Sequence, residues 1–180
     1  MNEQHLIDEI RKGNRQAMHE LYSLTVPYLV GVCQRYVTSQ EDVKDIVQES
    51  YIQIFQHIGD FTPAHDGALR SWMARIVANH SISFLRHRQM IEWTDISLAG
   101  DDIPDDDFDI TTMRIELVHE CIRRLPTGYR TVLNLFIFEQ KTHKEIAAML
   151  GIRESTSASQ YLRAKAMLKQ LITKHTTGQL

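Results

Sequence analysis

The residues with the clearest chemistry lie between 141 and 165, where hydrogen-bonding side chains follow a short capped helix. Thr142 and Glu145 have the spacing of a capping box, which satisfies two orphan backbone donors at a helix start. Gly151 suits the left-handed residue that ends such a helix, and a second helix is predicted from about Glu154. This pattern is typical of a helix-turn-helix. An ordinary helical hairpin is the alternative, but the cap, the turn glycine and the polar residues that follow together favour DNA binding.

The second helix of this motif is predicted to bury one face and to expose the other. Tyr161, Ala164, Leu168 and Leu171 recur at helical spacing and should point inward. The outer face carries side chains that hydrogen-bond base edges and phosphates, so we expect it to contact DNA. The residues predicted for this contact are Arg153, Glu154, Ser155, Thr156, Ser159, Gln160, Arg163 and Lys165.

A second constellation is an acidic and amide face on a predicted helix that follows Ser39. Its members fall opposite an apolar stripe and are Asp42, Asp45, Gln48 and Glu49. A solvated acidic helix face is common and is the simpler interpretation. The functional alternative is a docking surface for a basic partner protein.

A third constellation is a basic face on the helix predicted at 68–89. Asn and Arg are the residue types that bind base edges and phosphates. The residues predicted for this face are Arg75, Asn79, Ser83 and Arg86, with Arg70 and Arg88 extending it at the two ends. The preceding loop, 59–67, contains Phe61 and backbone groups that could surround an unstacked base. Trp72 is interpreted either as a stacking platform or, more simply, as a core residue.

The elements that must position these side chains are all predicted to be helical. No strand-like alternation persists, and turn signals separate the helical segments, so we predict an all-α fold. Pro27 should kink or break the second helix, in which Tyr22 is expected to point inward. The predicted helices span 3–12, a long segment after Asn14, a third after Ser39, 68–89, and several more beyond residue 112, with a turn at Pro126–Gly128.

The charge of the chain is strongly partitioned along its length. Residues 1–90 carry 9 Lys and Arg against 10 Asp and Glu, whereas residues 113–180 carry 11 bases against 5 acids. Residues 91–112 between them carry 8 acids and no base. We therefore predict a domain at 1–90, an acidic flexible linker at 91–112 and a second domain at 113–180 that favours nucleic acid.

Composition argues against several other classes of protein. No apolar run has membrane-spanning length, and the N-terminus has no signal-peptide pattern. Cys33 and Cys121 do not form a CxxC pair, so we expect buried, reduced thiols in a cytoplasmic protein. The nine histidines are scattered, and Asp105–Asp107 is better explained as part of a linker than as a metal cluster. We expect no catalytic residue, no metal site and no cofactor.

Together these segments resemble the bacterial RNA polymerase sigma factors of the extracytoplasmic-function (ECF) group. Residues 42–55 are similar to the polymerase-binding helix of that family, and residues 69–88 to its minus-ten helix. Residues 125–133 and the helix-turn-helix are similar to its minus-thirty-five domain. The resemblance covers nearly the whole chain, and three segments occur in the family's order.

The resemblance implies a non-enzymatic promoter-specificity subunit. The face at Asp42, Asp45, Gln48 and Glu49 would dock on core RNA polymerase, and the face at Arg75, Asn79 and Arg86 would meet the minus-ten element. The loop from Phe61 to Gly67 would hold a flipped base, and the recognition helix would enter the major groove at the minus-thirty-five element. The implied partners are core RNA polymerase, promoter DNA and an anti-sigma factor. A polymerase-independent dimeric helix-turn-helix regulator is the alternative, although it leaves the acidic face without a use.

Three positions depart from the family pattern, and one of them is Ala158, which stands where a basic residue is common and so removes one expected DNA contact. Arg153 stands where relatives often have a serine cap, so the start of the recognition helix is expected to be shifted or less well capped. Gln160 stands where relatives often have arginine, and glutamine pairs with adenine rather than guanine. We therefore predict an altered minus-thirty-five preference.

Overall fold

The computed structural model describes residues 3–88 and 115–176, and these form helices and turns. The helices are α1 (Glu3–Arg11), α2 (Arg15–Gln34), α3 (Gln40–His57), α4 (Ala68–His87), α5 (Ile115–Arg123), α6 (Thr127–Ile137), α7 (His143–Leu150) and α8 (Glu154–Thr176). The predicted all-α fold is confirmed. The predicted acidic linker, 91–112, lies outside the described residues.

The chain divides into two compact units, residues 1–84 and 85–180. This division falls within the last turn of α4. The domain boundaries expected from the charge pattern, at 90/91 and 112/113, remain predictions.

In the first unit, α2 packs against α1 and α3 around a core of aliphatic side chains. The most deeply buried include Ile7, Leu21, Leu29, Ile54 and Met73. Each such side chain contributes about 1.5–3 kcal/mol when it is fully buried. This core holds the outer faces of α3 and α4 in fixed positions.

Both cysteines are free and buried, as predicted. Burial raises the pKa of the Cys33 thiol to about 11. The Ser81 hydroxyl on α4 donates a hydrogen bond to Cys33 Sγ at 3.4 Å, which joins α4 to α2. Cys33 therefore acts as a small core residue that remains a thiol at neutral pH.

Of the two alternatives predicted for Pro27, the break is wrong, and so is the expectation that Tyr22 points inward. The helix does not break at Pro27, which lies inside a continuous Arg15–Gln34 helix with its ring exposed. Packing of α2 against two other helices offsets the lost hydrogen bond. Tyr22 is 39% exposed rather than buried, with its ring centroid 4.6 Å from that of Tyr51.

In the second unit, α8 packs against α5, α6 and α7. Leu133, Ala164 and Leu168 are fully buried in the shared core. Arg130 is also buried, and its Nη1 donates to the carbonyls of Arg123 at 2.9 Å and Leu125 at 3.1 Å. The Arg130 guanidinium therefore satisfies the carbonyl of Arg123, which the end of α5 leaves unpaired, and that of Leu125 just beyond the helix. Burial lowers the pKa of Arg130.

Candidate nucleic-acid interface

The predicted helix-turn-helix is present, and α7 begins with the capping box. The Glu145 N–H donates to Thr142 Oγ1 at 3.3 Å, and the Thr142 N–H donates to Glu145 Oε2 at 2.9 Å. The hydrogen bonds from the backbone and hydroxyl of Thr142 hold the pKa of Glu145 below its usual value. Gly151 ends α7 with φ +70°, and the Ile152 N–H donates to the Ala147 carbonyl at 3.1 Å. These local bonds set the turn that leads into α8.

Thr142→Ala should lower the free energy of unfolding of the second unit by about 1 kcal/mol, because one N-terminal donor of α7 loses its acceptor. Urea denaturation followed by circular dichroism would measure the change. Thr142→Ser is the matched control, since it keeps the hydroxyl. An equal loss in both variants would attribute the effect to the methyl group and contradict the capping role.

Most side chains predicted for the outer face of α8 are accessible. Arg153, Glu154 and Ser155 are exposed, at the start of the helix. Thr156, Ser159, Arg163 and Lys165 are half-buried. The helix starts at Glu154 as predicted, and the carbonyl of Arg153 accepts from the Ser157 N–H at 3.0 Å, so the start is not shifted.

The expectation for Gln160 is wrong, because this side chain is only 1% exposed. The buried stripe of α8 runs through Ser157, Gln160, Ala164 and Leu168 at helical spacing. The sequence pattern placed the buried stripe at Tyr161 instead, because the first two residues of the observed stripe, Ser157 and Gln160, are polar. Gln160 therefore does not reach a base edge in this structure, and the predicted adenine preference loses its basis.

The sequence pattern did not indicate an aromatic cluster that Phe136, His143 and Tyr161 form between α6, α7 and α8. The ring of His143, at the start of α7, stacks on Phe136 of α6 with centroids 4.7 Å apart. Tyr161 of α8 lies 4.3 Å from Phe136, and His143 Nδ1 lies 3.0 Å from the Ser157 hydroxyl. These contacts join α6, α7 and α8.

The predicted basic face of α4 is on the surface. Arg75, Asn79, Ser83 and Arg86 are all exposed, and so are Arg70 and Arg88. The guanidinium carbon of Arg70 lies 3.8 Å from the centroid of the Tyr28 ring, which is a cation–π contact. This contact orients Arg70 along the helix surface.

The loop before α4 spans 59–67, as predicted, and it places two aromatic rings together. The rings of Phe61 and Trp72 are stacked, with centroids 4.8 Å apart and an angle of 29° between their planes. Both side chains are half-buried. Trp72 thus supports the loop, while Thr62, Ala64, His65 and Asp66 are exposed beside it.

The predicted acidic face on α3 is also accessible. The Ser39 hydroxyl caps the helix by accepting from the Asp42 N–H at 3.3 Å, and the helix follows Ser39 as predicted. Asp45, Gln48 and Glu49 are exposed, and Asp42 is half-buried. Ile52 continues the same face one turn later and is 60% exposed, a feature that the charge pattern did not indicate. An exposed aliphatic group among carboxylates is suited to a partner surface with both basic and apolar groups.

The described residues also bear on two other kinds of site. Within residues 3–88 and 115–176, the His, Cys, Asp and Glu side chains form no group of three or more that could hold a metal ion. None of the helices described combines the length and apolar character needed to cross a membrane.

Comparison with known proteins gives consistent matches over both units. Residues 21–90 match the family model described as Sigma-70 region 2, and residues 115–168 match Sigma-70, region 4. The chain is 25% identical to an ECF RNA polymerase sigma-E factor of Haemophilus influenzae, over 96% of each chain. It is 30% identical to the RNA polymerase sigma factor SigZ of Bacillus subtilis, over 76% of each chain. A solved structure of CnrH in complex with the cytosolic domain of CnrY is 22% identical, with a TM-score of 0.49 and coverage of 93% of this chain and 95% of that one.

Proposed function

Because this chain belongs to the sigma-70 family of RNA polymerase sigma factors, in its ECF group, we propose a division of labour among the three surfaces described above. The chain is a sigma factor that directs transcription initiation. Members of this family act as DNA-binding regulators rather than catalysts. We propose that this chain likewise has no catalytic activity and that it acts in the cytoplasm, where polymerase and promoters meet.

The α3 surface, formed by Asp42, Asp45, Gln48 and Glu49, is proposed to dock on core RNA polymerase. The supporting observation is the exposure of three of these side chains on a helix whose opposite stripe is buried. Carboxylates on a rigid helix attract a basic partner over several ångströms and set the register of binding.

The α4 surface and the loop 59–67 are proposed to bind the opened minus-ten element. Opening a promoter costs about 1.4 kcal/mol per base-pair step in lost stacking and pairing. Exposed Arg and Asn side chains can offset that cost by binding phosphates and base edges of the separated strand. Arg75, Asn79, Ser83 and Arg86 form this surface, with Arg70, Arg88, Phe61 and Trp72 at its margins.

The start of α8 is proposed to enter the major groove at the minus-thirty-five element. Arg153, Glu154 and Ser155 lie at the exposed N-terminal end of the helix, where base-contacting residues of helix-turn-helix proteins lie. Thr156, Ser159, Arg163 and Lys165 would add phosphate and groove contacts. An anti-sigma factor is proposed as a further partner, as the resemblance to the ECF group implies.

The observation that carries the proposal is the presence of both sigma-70 regions in one chain, with accessible acidic, basic and helix-turn-helix surfaces. In vitro transcription tests it, using core polymerase, the purified chain and a library of upstream DNA. We expect specific initiation that depends on the chain and yields both promoter elements. Absence of initiation, with dimeric DNA binding by the chain alone, would contradict the proposal and favour a polymerase-independent regulator.

Asn79→Ala should reduce promoter opening about tenfold or more and leave duplex binding nearly unchanged, because the amide is proposed to contact bases only after strand separation. Permanganate footprinting measures opening, and an electrophoretic shift of the polymerase complex measures duplex binding. Gln16→Ala, an exposed amide on α2, is the control. An equal loss in both assays would mean that Asn79 only positions the helix.

A further inference from the structure

We propose that α1 is a positioning element that holds both ends of the loop 59–67 and thereby sets the geometry in which this loop receives a base. The inference rests on the proposed function of the loop in the minus-ten contact. Its evidence is a set of hydrogen bonds between residues far apart in sequence, all within the first unit.

Arg11, in the last turn of α1, holds the first end of the loop. Its Nε donates to the Gly59 carbonyl at 3.1 Å, and its Nη2 donates to the Phe61 carbonyl at 2.7 Å. Its Nη1 donates to Asp8 Oδ1 at 3.1 Å, which orients the guanidinium from the preceding turn of α1. Because the guanidinium is planar and its donors are fixed, the two carbonyls are held at a set separation. A lysine offers a single nitrogen and cannot impose this spacing.

Glu3, in the first turn of α1, holds the other end. Its Oε2 accepts from the Gly67 N–H at 3.1 Å, and its Oε1 accepts from the Leu69 N–H at 2.8 Å. These donors belong to the start of α4, whose own first turn contains no acidic residue. A carboxylate at this place satisfies orphan donors and complements the helix dipole. The N-terminus of α4 is therefore capped by a side chain more than sixty residues away in the sequence.

The two contacts are joined by a rigid spacer. Leu6, Ile7 and Ile10 are buried, so α1 is fixed against the core of the first unit. Glu3 and Arg11 are eight residues apart on one helix, which separates their backbones by about 12 Å along its axis. The exposed part of the loop, which includes Thr62, His65 and Asp66, lies between the backbone groups bound by Arg11 and those bound by Glu3.

This arrangement acts on base selection rather than on polymerase docking. A binding pocket discriminates among bases only when its groups are held to within about 0.5 Å of their productive positions. The Trp72 stack holds the ring of Phe61, whereas Arg11 holds its backbone, so loss of Arg11 frees the loop without removing its side chains. The acidic face of α3 does not take part in these contacts.

The test uses the full chain with core polymerase on a promoter selected by the wild-type chain, with all four bases placed at each minus-ten position. Arg11→Lys and Glu3→Gln should each reduce discrimination between bases at one or more positions about tenfold, with unchanged affinity for polymerase. Lys12→Gln is the control, because Lys12 neighbours Arg11 but pairs with Glu9 on α1.

Base discrimination equal to that of the wild type in both variants would overturn the proposal. A uniform loss of transcription on every promoter, with discrimination preserved, would also overturn it, because α1 would then serve stability alone. Arg11→Lys keeps the charge and the aliphatic stem. It therefore reports how the loop contacts affect base discrimination even if Glu3→Gln unfolds α4. Failure of the wild-type chain to initiate at all would instead contradict the proposed function, and the base-selection role of α1, which rests on that function, would fall with it.

Discussion

Asp45→Arg should reduce the affinity of the chain for core RNA polymerase about a hundredfold or more, while the first unit remains folded. Asp45 is exposed on α3, next to Glu49 one turn later, and makes no contribution to the buried stripe. Reversal of its charge against a basic surface costs several kcal/mol, because attraction is replaced by repulsion between like charges. Surface plasmon resonance with immobilised core polymerase would measure the change.

Two further variants make this result interpretable. Asp45→Asn removes the charge without reversing it, so we expect an intermediate loss and a weaker dependence of affinity on salt. Glu20→Arg carries the same charge reversal on α2, outside the proposed docking face, and should bind nearly as well as the wild-type chain. Normal binding by Asp45→Arg, or an equal defect in Glu20→Arg, would count against the assignment of this face.

Leu168→Ala should lower the free energy of unfolding of the second unit by about 2–5 kcal/mol and abolish binding to the minus-thirty-five element. Leu168 is fully buried in a core to which α5, α6 and α8 all contribute. A domain of this size is stable by only about 5–15 kcal/mol, so one cavity removes a large share of that stability. Chemical denaturation of the full chain, followed by circular dichroism, would measure the change.

Gln170→Ala is the control for the loss of core packing, because Gln170 is exposed two residues further along α8. This variant should unfold at nearly the same denaturant concentration as the wild-type chain. Binding to polymerase should survive in Leu168→Ala, since the α3 face belongs to the other unit. A second unit with wild-type stability in Leu168→Ala would show that the core at this position can collapse around the smaller side chain.

Local chemistry explains why the helices were largely predictable. Asn14 Oδ1 accepts from the Gln16 N–H at 3.0 Å and the Ala17 N–H at 3.3 Å, so α2 starts where the sequence places it. The Ser39 and Thr142 side chains act in the same way over three residues, and Gly151 ends α7 by its left-handed backbone. Such signals need no distant partner, and they set the helix boundaries to within a residue or two. The predicted helices 3–12 and 68–89 accordingly end one or two residues beyond α1 and α4.

The periodicity of charges and apolar residues likewise indicated which faces of α3 and α4 reach the surface. Asp45, Asn79 and Arg75 are exposed as expected, because a helical spacing assigns a side chain to one side of a cylinder whatever the helix packs against. The resemblance to sigma factors was carried by the same local segments and by their order along the chain.

Tertiary packing decided the continuity of α2, the burial of Gln160 and the contacts of the loop 59–67, which local patterns could not indicate. Pro27 stays within one helix because α2 is held between two neighbours, and Gln160 is buried because the core stripe of α8 begins with polar side chains. The bonds from Glu3 and Arg11 to the loop 59–67 join residues about fifty to sixty-six positions apart, so no window of the sequence contains both partners. Helix starts and exposed faces follow from short-range hydrogen bonding and periodicity, whereas the shape of the loop and the final inner stripe of α8 depend on which surfaces meet in three dimensions.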